Sequence, residues 1–505
     1  MASIAGVHRP RRRPERRGPA IRLLVATVGA GLVATSAGLT MAAPGTPAAA
    51  AGTRELPRDR APAGPVLAAL PASPKLPTRK GLTAALRHLV RAKPLGKQVA
   101  VAVGDPRTGT MLYGWHAGTP FMPASTTKLL TVTAALSVLG PSHTFSTRVV
   151  DGGLRATGKP ARTPGARTTT SGKQPQMLPS VILVGGGDPL LSSRAGLARD
   201  HSFDRDVYPP DSRRATIDTL ASRTAKALQG KGVHRITLRY DNSLFDQPVS
   251  PHWPSEYVAT SVVSPVSALW VDEGRLRTPY ITRAADPAAD AASRFARALR
   301  ADGIEVVGKP GSAHARPSAT ELARVTSPPL RSIAEHVLLV SDNDGAEVLA
   351  RQVALATNRR PDFAGAAAAV EARLARLGVD LRGVRLHDGS GLSRDDRIPA
   401  RTLLDVLALP FTPGHSRLAS LLTDLPVGGF AGSLSHRYVY TSAAAAGYVR
   451  AKTGTLTGVS SLAGTVQTRA GAVLTFVILT DRLTEYALPA IDRIAARVAA
   501  CGCGS

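Results

Sequence analysis

Three short patterns in this chain combine hydroxyl, amine and amide groups at spacings suited to acyl transfer. The first is Ser125-Thr126-Thr127-Lys128, a serine and a lysine at i and i+3. On a helix that spacing puts hydroxyl and amine on one face. A serine hydroxyl is a weak nucleophile until a base takes its proton. A lysine held in a dry site near other cations can be neutral and act as that base. A helix start adds a positive dipole and free N–H groups, which suit a developing oxyanion. Alone, the same four residues read equally as a capping serine beside a solvated lysine.

The second pattern is Ser341-Asp342-Asn343, after the apolar run Val337–Val340 and before a helical stretch. A hydroxyl and an amide at i and i+2 can face one cleft. The hydroxyl can relay a proton to a leaving group, and the amide can hold a substrate carbonyl and the lysine. Alone it is an ordinary helix cap. The third pattern is Lys452-Thr453-Gly454-Thr455 at the end of a strand. There a glycine lets a substrate backbone lie against the strand edge, with its carboxylate on the lysine.

Together the patterns carry far more than they do singly. The chain has 11 Lys and three Asn, yet SxxK, SxN and KTG occur in order, each at an element boundary. That triple is the signature of penicillin-binding proteins and class A β-lactamases. Ser125 and Ser341 lie 341 − 125 = 216 residues apart, room for an inserted lobe that a minimal β-lactamase lacks. The chain resembles the D-alanyl-D-alanine carboxypeptidase/endopeptidase family, the class C low-molecular-mass penicillin-binding proteins of the DacB type, over roughly residues 81–500. The resemblance rests on Pro123–Leu130, Val181–Leu191 (VILVGGGDPLL), Asp241–Asp246 (DNSLFD) and Ser341–Glu347 (SDNDGAE). It continues through Asp388–Arg394 (DGSGLSR), Leu425–Leu434 (LPVGGFAGSL) and Val449–Leu456 (VRAKTGTL).

The resemblance implies an α+β penicillin-binding/β-lactamase-like domain, mainly an antiparallel sheet flanked by helices, with an inserted second α/β lobe. It implies Ser125 as nucleophile, Lys128 as base, Ser341 as proton relay and Asn343 as the orienting amide. Lys452, Thr453, Gly454 and Thr455 would bind the substrate, with the Ser125 and Thr455 N–H groups as oxyanion hole. Asp246, with Trp253 and Tyr257, would line a pocket for the stem-peptide side chain. The implied partners are peptidoglycan peptides ending in D-Ala-D-Ala and β-lactam antibiotics, with no metal or cofactor. Some relatives carry a third small domain. Here about 20 residues follow Trp270–Gly274 before the Ala291 helix, so that domain is expected to be missing or vestigial. A β-lactamase is the rival of like chemistry, and a catalytically silent cell-wall-binding protein the rival of another class.

Other candidates are weaker. Gly185-Gly186-Gly187-Asp188 lacks the GK[ST] ending of a phosphate loop and reads as a tight turn. Gly389-Ser390-Gly391 is not a G-x-S-x-G elbow. The twelve His lack metal spacing, and nothing supports a Ser/His/Asp triad.

Several elements must position these groups. Gln98–Val103 and Met111–Trp115 read as a hairpin around Pro106–Gly109. Ala124–Leu139 has Leu129, Val132, Leu136 and Leu139 on one helical face and stops at Gly140-Pro141. Gly152–Pro179 is short of large apolar residues and reads as an exposed loop. Val181–Val184 and Arg235–Tyr240 read as strands, Ala215–Leu228 and Ala291–Leu299 as helices. Further helices are expected at Leu330–Leu339, Glu347–Leu355, Ala366–Leu377, Ala400–Leu409 and His415–Leu422. Strands at Tyr448–Thr453, Ser461–Gln467 and Val473–Thr480 precede a closing helix, Pro489–Ala500. Strands from both ends of the chain suggest one shared sheet. The expected boundaries are 81–150 with 326–505 for the peptidase domain and 151–325 for the inserted lobe.

The chain has 505 residues and a net charge of 63 − 36 = +27. Its apolar fraction of 43% excludes wholesale disorder. Aromatics are only 4% and interleave with no basic stripe, which argues against nucleic-acid binding. Residues 1–22 hold seven Arg and one Glu, and Leu23–Thr53 holds no charge. That is the layout of a secretory signal cleaved near Ala50, with an uncleaved membrane anchor as alternative. The Pro/Ala-rich stretch 51–80 reads as a linker. Both cysteines, Cys501 and Cys503, fall in what reads as a frayed tail.

Overall fold

The computed structural model describes residues 74–157, 176–197, 214–276, 282–439 and 442–502. The expected signal, most of the linker and Cys503 lie outside them. Strands β1 (Gln98–Asp105) and β2 (Thr110–Trp115) form the expected hairpin. Near the other end of the chain stand β11 (Val449–Leu456), β12 (Val459–Gln467) and β13 (Val473–Asp481). They join as one antiparallel sheet in the order β11-β12-β13-β1-β2. β1 runs along β13 from Gln98↔Asp481 to Gly104↔Thr475.

Alternation along β1 decides what covers each face. Val99, Val101 and Val103 pack with Leu82 and Leu86 of helix α1 (Arg79–Leu86) and with Ile491, Ile494 and Val498 of α9 (Leu488–Ala499). Ala100 and Ala102 belong to the core of the other face. That core draws on α2 (Lys128–Leu139), α5 (Leu330–Leu339), α6 (Asn343–Ala356), α7 (Phe363–Arg376) and α8 (Ala400–Ala408). α2 is buried on every side from Lys128 to Leu136, whereas its sequence reads as one-sided. Helices α5 to α8 surround it, so its threonines sit inside as well.

A second sheet is built from β4 (Ser146–Thr157), β5 (Gln176–Val184), β6 (Arg235–Asp241), β7 (Glu305–Val306) and β9 (Glu321–Thr326), in the order β7-β6-β5-β4-β9. β8 (Gly311–Ser312) lies beside β6. Helices α3 (Ile217–Gln229) and α4 (Pro287–Ala301) cover one face, with Leu220, Phe295 and Leu299 against Val181 and Leu183. A small ladder, β3 (Pro120–Phe121) with β10 (Ile398–Pro399), lies near the start of the SxxK turn. Among the described residues, no helix is long and apolar enough to cross a membrane.

Several expectations need correction. The described ends of Gly152–Pro179 are strand: β4 and β5 pair as far as Thr157↔Gln176, across a register shift between Asp151 and Leu154, while residues 158–175 lie outside the described residues. Backbone ladders need no apolar side chains, so composition concealed them. His415–Leu422 is not one helix but the 3₁₀ turn Ser416–Leu418 followed by Ser420–Thr423. The packed chain begins inside the stretch read as linker, since Pro77 is buried and Thr78 caps α1. Cys501 is buried and disulfide-bonded rather than frayed.

Candidate active site

Ser125 lies in a 3₁₀ turn, Ala124–Thr127, that runs directly into α2. The turn forces Ala124 into the left-handed region at φ 48°, a cost of order 1–3 kcal/mol that recurs at functional sites. One turn on, Lys128 is wholly buried. Its Nζ donates to Ser125 Oγ (2.9 Å), Asn343 Oδ1 (2.7 Å) and the Ser390 carbonyl (2.8 Å). Burial pushes its pKa down to about 8, opposed by the carboxylates of Asp342, Asp388, Glu347 and Asp344. A neutral amine has two donors and a lone pair. Asn343 and Ser390 can take both donors, which leaves the lone pair for the Ser125 proton.

Asp342 caps α6 by accepting from Gly345 N–H at 3.0 Å, which places Asn343 at the helix start. Ser341, just before the cap, has φ 61°. Asn343 is held from both sides: Lys128 donates to its Oδ1, and its Nδ2 donates to the Val262 carbonyl at 3.0 Å. The Val262–Ser264 segment is fixed in turn by Asp344, whose Oδ1 accepts from Ser264 N–H at 2.7 Å. Asp344 Oδ2 meets Arg283 Nη2 at 2.6 Å. The amide therefore reaches Lys128 in one orientation.

Lys452, Thr453, Gly454 and Thr455 lie on the edge strand β11. A Cβ on Gly454 would lie 2.1 Å from Ser461 Oγ, 2.8 Å from the Pro123 carbonyl and 3.1 Å from Ser125 N. Glycine is thus what lets the strand approach the Ser125 turn. Ser461 Oγ donates to the Pro123 carbonyl at 2.7 Å and ties β12 to the same turn. Lys452 is wholly buried, and its Nζ donates to the Thr453 carbonyl at 2.8 Å. Burial, reinforced by Lys128, drives its pKa well below the usual lysine range. A substrate carboxylate would supply the missing counter-charge. Thr453 Oγ1 lies 2.8 Å from Ser433 Oγ.

A serine, two buried lysines and an amide on three converging elements have the chemistry an acyl-transfer centre needs, and comparison with known proteins places the chain in a family. The D-Ala-D-Ala carboxypeptidase 3 (S13) family matches residues 82–280 and 276–500. The chain belongs to that family. A carboxypeptidase of Mycobacterium tuberculosis is 34% identical over 85% of either chain. Carboxypeptidase DacB of Mycolicibacterium smegmatis is 34% identical over 85% of this chain and 86% of its own. The fold is that of penicillin-binding protein 4 (dacB) from Haemophilus influenzae, with a TM-score of 0.61 at 21% identity over 83% of this chain and 98% of that one. A second structure of that Haemophilus protein is complexed with a β-lactam. Like its family, the protein is a serine peptidase, a hydrolase.

Within this S13 peptidase, Asp246 stands apart from the other expected site residues. It is exposed and lines a cavity of about 670 Å³ with Arg148, Asp241 and Arg324, which includes none of Ser125, Lys128, Ser341 or Lys452. Trp253 is buried and donates through Nε1 to Asp388 at 2.7 Å. Only residues 275–286 separate Gly274 from α4.

Sequence reasoning overlooked the support behind Lys128. Glu347 Oε1 accepts from Gly389 N–H (3.1 Å) and Ser390 N–H (2.8 Å), which aims the Ser390 carbonyl at Lys128. Burial and Asp388 raise the Glu347 pKa to about 7, while Arg351, 3.5 Å away, lowers it. The signal was present in SDNDGAE and DGSGLSR, but a backbone acceptor has no residue type to betray it. Glu273, His336 and Asp342 bring metal-ligand atoms within 4.8 Å of one another behind Ser341. Arg275 already pairs with Glu273 at 2.5 Å, so the trio is an ion-pair cluster.

Proposed function

We propose that this carboxypeptidase removes the terminal D-Ala of peptidoglycan stem peptides through an acyl-serine intermediate on Ser125. The observation that carries the reading is the hydrogen-bonded set Ser125–Lys128–Asn343, closed on its other side by the KTG strand. Ser125 Oγ attacks the carbonyl carbon of the penultimate D-Ala while neutral Lys128 accepts the hydroxyl proton. The tetrahedral oxyanion is received by the N–H groups of Ser125 and Thr455. As the C–N bond breaks, the proton passes by way of Ser341 to the departing amine of the terminal D-Ala. Water then attacks the ester, its proton goes to the same base and from there to the departing Ser125 Oγ, which restores the hydroxyl and neutral Lys128.

Lys452 receives the terminal carboxylate, and Asn343 orders substrate and Lys128 together. A penicillin presents the same carboxylate and a reactive carbonyl, so it acylates Ser125 and leaves slowly. The basic, uncharged-core layout of residues 1–53 exports the chain to the wall side of the membrane. Labelled penicillin followed by a D-Ala-D-Ala peptide tests the reading. Ser125→Ala should lose all covalent label and all D-Ala release, and Lys128→Ala should acylate ~10²–10⁴-fold more slowly. Full labelling of Ser125→Ala would remove the nucleophile assignment. Rapid penicillin turnover without D-Ala release would favour a β-lactamase instead.

A further inference from the structure

The second sheet has a face that α3 and α4 do not cover. On β5, Val181 and Leu183 point into the helix-covered core, whereas Ser180, Ile182 and Val184 alternate to the opposite side. There Ile182 and Val184 pack with Val150 of β4 and with Ala313, Ala315 and Ala319 of the segment after β8. Around Ser180 the cover stops and leaves a cavity of about 530 Å³.

A break in the ladder shapes that cavity. The register of β4 and β5 shifts between Asp151 and Leu154, around Gly152-Gly153. Gly153 has φ 74°, and a Cβ on Gly152 would come within 3.1 Å of Ser180 Oγ. Bulges of this kind re-aim side chains and cluster near functional sites. Ser180 is 1% exposed, yet among the described residues its hydroxyl has no hydrogen-bond partner. Most buried hydroxyls have one, and this one belongs to a residue that lines the cavity.

The charges around the cavity are almost all positive. Arg155, Arg239, Arg316 and His314 line the cavity, with Asp151 as the acid among the lining residues. Asp151 is already engaged, accepting from Gly153 N–H at 2.8 Å. Nearby Glu321 is taken by Arg324 at 2.6 Å. Arg239 donates through Nε to the Ser312 carbonyl at 3.1 Å, which fixes its guanidinium. Arg155 and Arg316 make no ion pair among the described residues. Burial and the neighbouring Arg155 push the Arg239 guanidinium below its usual range.

We propose that this cavity binds the phosphate groups of an anionic wall polymer, a phosphodiester-linked polyol or sugar chain. Guanidinium forks match phosphate oxygens in pairs, and the Ser180 hydroxyl supplies a neutral donor beneath them. The site is separate from the acyl-transfer centre and would hold the enzyme on the network that carries its peptide substrate. A phosphodiester favours the cavity over a carboxylate because it spreads four oxygens tetrahedrally, two charged and two ester, among three guanidinium groups and a hydroxyl, where a carboxylate sets two in one plane.

Calorimetric titration of the purified enzyme with a synthetic oligo(glycerol phosphate), inorganic phosphate and poly-γ-glutamate tests this. The wild type should bind the phosphate oligomer more tightly than the carboxylate polymer, with affinity falling as salt rises. Arg155→Gln with Arg316→Gln should weaken binding roughly tenfold or more. Ser180→Ala, which leaves every charge in place, should weaken it roughly two- to tenfold. Hydrolysis of a short D-Ala-D-Ala peptide, followed in the same samples, should not change in any variant. Absence of wild-type binding, equal affinity for poly-γ-glutamate, or wild-type affinity in Ser180→Ala would each overturn the proposal. Loss of hydrolysis in the cavity variants would contradict the separation of the two sites and overturn the proposal as well, whereas a wild type that binds the oligomer but releases no D-Ala would strike only the reading of the acyl-transfer centre.

Discussion

Lys128 has three acceptors within 2.9 Å, but only the charged amine has three protons to give. The base must be neutral, so its titration governs acylation. Burial lowers the pKa to about 8; protonated below that, Lys128 gains activity as pH rises. The rate of penicillin acylation should therefore climb with a midpoint near pH 8. Glu347 is one of the carboxylates that hold this pKa up. Glu347→Gln should shift the midpoint to lower pH, and stopped-flow acylation across the pH range would read it. An unmoved midpoint would mean that the limb belongs to another group. Lys452 has a different task. Lys452→Ala should lower kcat/KM for an acid-terminated peptide ~10–100-fold. A peptide with an amidated terminus should lose less, because the carboxylate is already gone. Equal losses on both peptides, with a lower melting temperature, would reduce Lys452 to a structural residue. These side chains were legible in the sequence because their chemistry depends on residue type. The Ser390 and Val262 carbonyls that orient them were not, since any residue supplies a carbonyl.

Elements act here through close approach. β11 can lie beside the Ser125 turn because Gly454 has no side chain to meet Ser461, Pro123 and Ser125. Gly454→Ala should push strand and turn apart at ~1–3 kcal/mol in stability. It should also slow acylation more than the stability loss accounts for, since the moved atom is the Ser125 N–H of the oxyanion hole. Thermal melts paired with acylation rates at a temperature where the variant is fully folded would check this. A destabilised variant that acylates normally would show that the gap does not set the Ser125 geometry. Elements marked by apolar periodicity or by strong stops were readable: α2 ends at Gly140, whose φ of 87° needs glycine, and β1 alternates by face. The outer part of the β4–β5 ladder was not readable, because Gly152-Gly153 interrupts β4 and Pro179 interrupts β5. The short turns at Ser416–Leu418 and Ser420–Thr423 were blurred into one helix for the opposite reason: Leu418, Leu421 and Leu422 keep helical spacing, with no Gly or Pro between them.

At the scale of the molecule, the residues following the second sheet's β6 reach back to the acyl-transfer centre through Arg283. Its Nη2 meets Asp344 at 2.6 Å and its Nη1 donates to the Glu273 carbonyl at 2.5 Å, with both side chains of the ion pair at most 7% exposed. Asp344 holds Ser264 N–H, and the same short segment offers the Val262 carbonyl to Asn343. A chain of contacts thus runs from Arg283 to the amide that faces Lys128. Burial and the neighbouring carboxylates raise the Asp344 pKa to about 7, against the pull of Arg283. Removing that arginine would strand a buried acid, at ~3–5 kcal/mol for a broken buried pair. Arg283→Ala should therefore lower the melting temperature and slow acylation. Arg283→Lys separates the two effects: an ammonium restores charge near Asp344 but cannot span both partners as a planar fork does. It should recover much of the stability and little of the acylation rate. Recovery of both together would make the pair a packing contact alone. Recovery of stability without rate would make Arg283 a positioning residue, acting on Lys128 through Asp344, the 262–264 segment and Asn343.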